Sequence, residues 1–276
     1  MYNKLSFLIF SLWVLNSSTG FSLNPSKDYK NTPYKINVKF EEGRIQTPDG
    51  ASLAYWYFPS SRLTNKLILV SHNGDGNMGD NLSRIKSLIS IGFNVLCYDY
   101  RGYGASSDFT IDNNNYLYAE FYTDFESVYN YVVEKYSKKL YLYGWGIGAT
   151  VTNTIGYNKP NTYIIISDGS VSKFSDMPVR FQQIGSRMRI DQNVLSQYKD
   201  PYTIFGTPPS PNFRGILFII GSNDYLLTTQ DMENLKGQVN TGSQEIYVLP
   251  NKNSWDNYRC NPNEYIRKLH VFLVNN

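Results

Sequence analysis

The segment from residue 139 to residue 157 constrains the fold more than any other part of the chain. Residues 139–143 form an apolar and aromatic run typical of a buried β-strand, and residues 149–157 are rich in small side chains, which is typical of a closely packed helix. Between them the sequence reads Gly-Trp-Gly-Ile-Gly at positions 144–148. A strand that passes into a helix through a glycine-rich turn predicts one unit of an α/β fold.

Further apolar runs of strand length occur along the chain, and most lack the alternation expected of a half-solvated strand. They occupy residues 66–71, 94–98, 163–167, 215–220 and 244–249. Such runs are typical of strands buried on both faces, so we expect a mostly parallel, twisted sheet of about eight strands with helices on both faces. An antiparallel pair of strands is predicted within residues 36–58, around the turn Pro48-Asp49-Gly50.

The remaining elements are expected to be helices. They are predicted near residues 78–91, 117–136, 147–158, 228–238 and 261–274. The segment from Asp168 to Arg214 contains four prolines in its second half, which predicts an irregular connector there. Cys97 falls in a predicted central strand and Cys260 near the end of the chain, so we expect no disulfide between them.

Motifs stand at the ends of the predicted strands in a fixed order. Positions 72–79 read His-Asn-Gly-Asp-Gly-Asn-Met-Gly, and positions 99–106 read Asp-Tyr-Arg-Gly-Tyr-Gly-Ala-Ser. The turn at 144–148 follows, then Gly-Ser-Asn-Asp at 221–224, and finally a polar segment at 250–260. Loops at the carboxyl ends of parallel strands are where α/β proteins place their functional residues.

On these motifs the chain resembles the α/β-hydrolase superfamily. It looks most similar to the abhydrolase-domain branch, which consists of membrane-anchored serine hydrolases related to the prolyl-oligopeptidase-like enzymes. The resemblance covers roughly residues 36–274 and implies an α/β-hydrolase-like domain over residues 36–276. It also implies a small cap at about residues 168–214, while residues 21–35 form an N-terminal extension.

The resemblance also implies a catalytic triad, and two of its members are missing here. The family places a serine at the centre of the Gly-x-Ser-x-Gly turn, an aspartate after a later strand, and a histidine near the end of the chain. The corresponding positions in this sequence are Gly146, Asp224 and Ser254. The rest of the degenerate site would be an oxyanion loop and pocket formed by His72, Asn73, Gly74, Trp145 and Ile147.

A glycine has no side chain that could attack a substrate, and the two histidines of the chain offer no replacement base. His72 belongs to the oxyanion loop, and His270 falls in the last predicted helix. Loss of triad members lowers the rate by about 10⁴- to 10⁶-fold. We therefore expect no serine-hydrolase activity and assign no catalytic residue. No cofactor is expected, and because histidines and cysteines are not clustered, no metal site is predicted either.

Several of these side chains have structural roles that explain them without catalysis. We expect Asp224 to cap its loop, His72 to stabilise its turn, and Asp99 and Arg101 to hold the loop after their strand by binding local backbone. Trp145 is predicted to fill the space of a former substrate pocket.

The N-terminus carries the signal for location. Residues 1–20 have a short positive start, an apolar run of about eleven residues and a small polar end, which predicts a secretory signal peptide or an N-terminal membrane anchor. The expected location is therefore the secretory pathway, extracellular or membrane-anchored, with a mitochondrial membrane complex as the alternative. A net charge of +3 with scattered Lys and Arg argues against a nucleic-acid partner.

Three classes of function remain open. The first is a pseudoenzyme that acts as a structural or interaction subunit of a larger or membrane-associated assembly, with protein partners. The second is a small-molecule or lipid binder that reuses the former active-site pocket. The third is a hydrolase with a non-standard catalytic set, for instance a water molecule activated by Asp224.

Overall fold

The computed structural model describes residues 22–62, 64–136, 139–253 and 257–276. The predicted signal peptide or anchor at residues 1–20 lies outside the described residues, and so does Ser254. In the described ranges no helix combines the length and the apolar character needed to cross a bilayer.

Strands and helices alternate along most of the chain, as the apolar runs predict. The strands are β1 (Asn24–Pro25), β2 (Glu41–Gln46), β3 (Ser52–Phe58), β4 (Leu67–Ser71), β5 (Asp75–Gly76), β6 (Asn94–Tyr98), β7 (Leu140–Trp145), β8 (Thr162–Asp168), β9 (Gly215–Gly221) and β10 (Ser243–Leu249). The helices are α1 (Leu82–Ser90), α2 (Ala119–Lys135), α3 (Ile147–Gly156), α4 (Met177–Gln183), α5 (Gln192–Gln197), α6 (Pro201–Phe205), α7 (Thr229–Gln238), α8 (Asn257–Cys260) and α9 (Pro262–Asn275).

Eight of the strands form one sheet, in the order β10-β9-β8-β7-β4-β6-β3-β2. β4 and β6 to β10 run parallel, whereas β2 and β3 form the predicted antiparallel pair. The chain leaves β4 for β6 on one side and later returns to β7 on the other. The carboxyl ends of β4 and β7 therefore face a switch point, where α/β proteins open a crevice.

The sheet is covered on both faces, because its central strands are apolar on both sides. One layer of buried side chains joins the sheet to α2, α3 and α7, and the other joins it to α1 and α9. Predicted and observed bounds of the parallel strands differ by at most two residues. The fold predicted from the sequence, a mostly parallel eight-stranded sheet between helices, is confirmed.

The segment between β8 and β9 contains short helices, including α5 and α6 in its proline-rich half. The prediction of an irregular connector was therefore wrong at α5 and α6. Pro201 does not prevent α6, because it stands in the first turn, where proline is tolerated. Asp200 caps that helix by accepting a hydrogen bond from the Thr203 amide at 2.8 Å. Cys97 is buried and Cys260 exposed, and both are free thiols as expected.

Candidate functional site

The turn between β7 and α3 has the backbone geometry of an elbow. Gly146 has φ 57° and ψ −124°, a conformation that glycine adopts freely and other residues adopt only with strain. The glycines on either side of it allow the backbone segments to touch. A Cβ atom on Gly148 would lie 2.2 Å from the carbonyl oxygen of Ser71, so α3 packs directly against the end of β4.

The loop after β4 leaves little room for a side chain at the elbow. A Cβ atom built on Gly146 would lie 2.9 Å from the Cβ of Asn73, closer than side chains pack without a shift. Asn73 is held in place because its Oδ1 accepts a hydrogen bond from the Asp75 amide at 3.3 Å. The structure thus brings the predicted nucleophile position and the predicted oxyanion loop together, in contact.

His72 stabilises the turn of that loop. Its Nδ1 accepts a hydrogen bond from the Gly74 amide at 3.1 Å, and its ring lies against Tyr100 and Tyr103. Burial disfavours the charged ring and lowers the pKa of His72 to about 3, so the ring is neutral at physiological pH. Its Nε2 lies 3.7 Å from Asp99 Oδ1, which is too far for a hydrogen bond.

Residues 22–29, which we call the N-terminal strap, lie along the same loop. β1 within the strap pairs in parallel with β5, and the carbonyl of Gly74 accepts hydrogen bonds from the Asn24 amide at 2.9 Å and the Tyr103 hydroxyl at 3.0 Å. Leu23 is fully buried. A Cβ atom on Gly74 would lie 2.7 Å from Cδ2 of Leu23 and 2.9 Å from Cδ1 of Ile147. Leu23 and Ile147 therefore converge on the loop beside the elbow.

Asp99 fastens the strap to the rest of the site. Its carboxylate accepts hydrogen bonds from the Tyr29 hydroxyl and from the Met78 amide, the latter at 2.7 Å. Burial raises the pKa of Asp99 to about 7. The Tyr29 hydroxyl also accepts a hydrogen bond from the Ala105 amide at 3.0 Å. The prediction that the Asp99 side chain binds backbone of its own loop was wrong, because its partners lie in other segments: Met78 follows the loop after β4, and Tyr29 belongs to the strap.

Arg101 holds its loop through carboxylates rather than through backbone. Its guanidinium donates to Asp124 at 2.7 Å and to Asp49 at 2.7 Å, while its own amide donates to Asp124 at 2.9 Å. The prediction that the Arg101 side chain binds local backbone was therefore wrong. The two carboxylates that it joins are 75 positions apart in sequence, so no local pattern marks them as partners.

Asp224 lies at the end of β9, buried, and caps its own loop. Its Oδ1 accepts hydrogen bonds from the amides of Leu226 at 3.0 Å and Leu227 at 2.8 Å. The loop after β10 reaches the same place, because the Asn223 amide donates to the carbonyl of Lys252 at 2.8 Å. The structure therefore brings together the loops that carry the predicted acid and base positions, although Ser254 itself lies outside the described residues.

Trp145 packs on the opposite face of the sheet from Leu23. Its ring lies 4.0 Å from the guanidinium carbon of Arg84, within the buried layer formed by α1 and α9. The prediction that Trp145 fills the space of the former pocket was wrong, because successive strand residues point to opposite faces and its ring lies in the layer away from Ile147. Leu23 and Ile147 belong to the other layer, with α2 and α3.

A buried polar network surrounds Arg84, and sequence reasoning missed it. Arg84 donates to the Tyr143 hydroxyl at 2.6 Å, Tyr143 and Tyr265 share a hydrogen bond of 2.9 Å, and Tyr265 donates to Asp168 at 2.6 Å. Burial raises the pKa of Asp168 to about 6. Across the described ranges, no group of three or more histidine, cysteine, aspartate and glutamate residues is arranged to hold a metal ion.

Comparison with known proteins supports the fold and finds distant sequence relatives. No family model matches the sequence. An α/β-hydrolase domain-containing protein of Arabidopsis thaliana, WAV2, is 34% identical over 88 residues, which are 30% of this chain and 28% of that protein. The uncharacterised protein YfhR of Escherichia coli is 27% identical over 205 residues, or 71% of this chain and 66% of YfhR.

Solved structures match over far more of the chain. The esterase Pf2001 of Pyrococcus furiosus superimposes with a TM-score of 0.73 at 17% identity, covering 92% of this chain and 97% of the esterase. At that identity the likeness shows the fold alone. The chain thus has the α/β-hydrolase fold, and its distant sequence relatives agree with membership of that superfamily.

Proposed function

Since the chain has the α/β-hydrolase fold with glycine at the elbow, we propose that it is a catalytically inactive hydrolase-like protein that acts as a structural or interaction subunit. The observation that carries the proposal is the contact between the elbow and the oxyanion loop. A Cβ at Gly146 would meet Asn73 at 2.9 Å, so the loop occupies the space in which a serine side chain would begin.

The strap supports the same conclusion from the other side of the loop. Leu23 is fully buried against Gly74 and Ile147, and the backbone of the strap is hydrogen-bonded to the loop through β1 and β5. An acyl-transfer site needs open donors near the nucleophile to stabilise the oxyanion. Here Leu23 of the strap packs against the loop that would carry those donors.

The two histidines of the chain also argue against a catalytic triad. His72 is neutral, and its Nδ1 is engaged by the Gly74 amide, while His270 lies on α9, past the loop after β10 in which the family places its histidine. Asp224 is engaged by two backbone amides of its own loop. A triad needs an imidazole that can take a proton from the nucleophile and return it to the leaving group.

The proposal includes an assembly. Because glycine at the elbow leaves no nucleophile there, the role of the domain would rest on binding, and we expect its ligands to be proteins. The apolar N-terminal segment would place this domain in the secretory pathway, extracellular or at a membrane, with a mitochondrial membrane complex as the alternative.

Two measurements on the full chain test the proposal. Purification from cells that produce it, in mild detergent, should yield a stable assembly with other proteins, seen by native mass spectrometry. Hydrolysis of short-chain 4-nitrophenyl esters by the wild type should equal that of D224A and of the matched surface control D108A. If the wild type and D108A hydrolysed the esters and D224A did not, the chain would instead be a hydrolase with a non-standard catalytic set. A lone chain that retains a bound lipid or metabolite would overturn the subunit role in favour of ligand binding.

A further inference from the structure

β2 ends the main sheet, and its outer edge is available to another strand. Within the described residues, β3 is the only strand that pairs with β2. Clefts run along both faces of this edge. One, of about 640 Å³, lies between β2 and α2, and another, of about 350 Å³, lies beside Tyr29 and Trp56. Edge strands with free backbone groups are templates for pairing with a second chain.

The hydrogen-bond register shows which residues present those groups. The Thr47 amide donates to the Ala51 carbonyl at 2.8 Å, which places the pair at 47 and 51 among the hydrogen-bonded pairs of the hairpin. In an antiparallel ladder such pairs alternate, so Gly43 and Ile45 also direct their amides and carbonyls towards β3. Glu42, Arg44 and Gln46 therefore direct theirs outward, and all three are exposed.

We propose that β2 pairs with β2 of a second copy of this chain, antiparallel and centred on Gly43, which joins the two sheets into one. In this register Glu42 lies opposite Arg44 of the second copy, and each such pair exchanges both backbone hydrogen bonds. The two-fold axis passes through the pair of Gly43 residues, which carry no side chains to separate the strands. The proposal does not depend on whether the elbow is catalytic.

Charge selects this register over its neighbours. Centring the axis on Arg44 would place arginine opposite arginine, and centring it on Glu42 would place glutamate opposite glutamate. Like charges directly opposite each other destabilise a strand pair, whereas opposite charges stabilise it. Charged side chains on an edge strand ordinarily discourage indiscriminate pairing. Here their order along β2 permits one self-complementary arrangement, and the occupant that it fits is a second copy.

Charge-swap variants of the full chain test the pairing by sedimentation equilibrium in mild detergent. The wild type should dimerise, and E42R or R44E alone should weaken dimerisation about tenfold or more, since each turns both symmetry-related pairs repulsive. A mixture of E42R and R44E should dimerise as heterodimers, because both pairs then become attractive. The double variant E42R/R44E should regain wild-type affinity, and the matched control E233R, on the exposed side of α7, should not change it.

Two results would overturn the pairing of β2 with a second β2. One is a wild-type chain that stays monomeric at high micromolar concentration. The other is a dimer whose affinity is the same in E42R, R44E and E233R, which would place the interface elsewhere. Failure of the double variant to recover would equally refute the Gly43-centred register.

Discussion

Replacement of Gly146 by alanine should lower the free energy of unfolding by about 2–6 kcal/mol. The backbone at φ 57° and ψ −124° costs a residue with a side chain about 1–3 kcal/mol. The contact at 2.9 Å with the Cβ of Asn73 adds an overpacking cost of about 1–3 kcal/mol. The two effects have different origins, so they can be separated experimentally.

Urea unfolding at equilibrium measures the summed cost of the alanine, and a double-mutant cycle with N73G isolates the part due to the contact with Asn73. N73G removes the Cβ that Gly146→Ala would strike, so the cost of the alanine should be smaller by about 1–3 kcal/mol in that background. Gly237→Ala is the matched control. Gly237 lies in α7 with open space at its Cβ position. Its replacement by alanine should leave the free energy of unfolding unchanged or raise it by up to about 1 kcal/mol. A Gly146→Ala variant within about 0.5 kcal/mol of wild type would refute the strained, closed elbow.

Three further predictions concern the strap and the buried charges. L23A should cost about 2–5 kcal/mol in urea unfolding, because Leu23 is fully buried; a cost below 1 kcal/mol would mean that the strap is not part of the cooperative fold. R101A should cost about 3–5 kcal/mol by leaving buried Asp124 unpaired, whereas R189A, at an exposed ion pair, should cost under about 1 kcal/mol; equal costs would contradict this. Burial raises the pKa of Asp168 from 3.8 to about 6. Between pH 4 and 6 the native state therefore keeps a proton on this carboxyl that the unfolded state has released. As pH rises through this interval, Asp168 lowers the free energy of unfolding. D168N should therefore gain stability relative to wild type over that interval, and parallel pH profiles would contradict the shift.

Local sequence patterns were sufficient for the framework. The strands β4, β6 and β9 are continuous apolar runs, and the apolar period of α9 is visible over its whole length, so each could be located from residues that are neighbours in the chain. The glycines at 144, 146 and 148 likewise marked the elbow. Asp224 and His72 were correctly predicted to hold their own turns, because side chains of this kind bind backbone a few residues away.

Local patterns did not predict which side chains pack beside the elbow. Leu23 is a single apolar residue in a polar segment, and it gains its role only by packing on Gly74, 51 positions later. Trp145 adjoins Gly146 in sequence, yet the alternation of the strand sends its ring to the other face of the sheet, onto Arg84. Adjacency along the chain therefore did not indicate which side chain stands beside the elbow.

The sequence by itself determined the succession of strands and helices along the chain and the glycine-rich elbow. It also determined that the elbow carries glycine instead of a nucleophile. These features depend on residue identity and on short-range periodicity. Only the tertiary structure decided that the oxyanion loop closes on Gly146, that the strap covers that loop, and that Asp99 and Arg101 bind partners far along the chain. These contacts join segments that are distant in sequence. They exist because the folded sheet brings loop ends to one edge, and no local pattern carries that information.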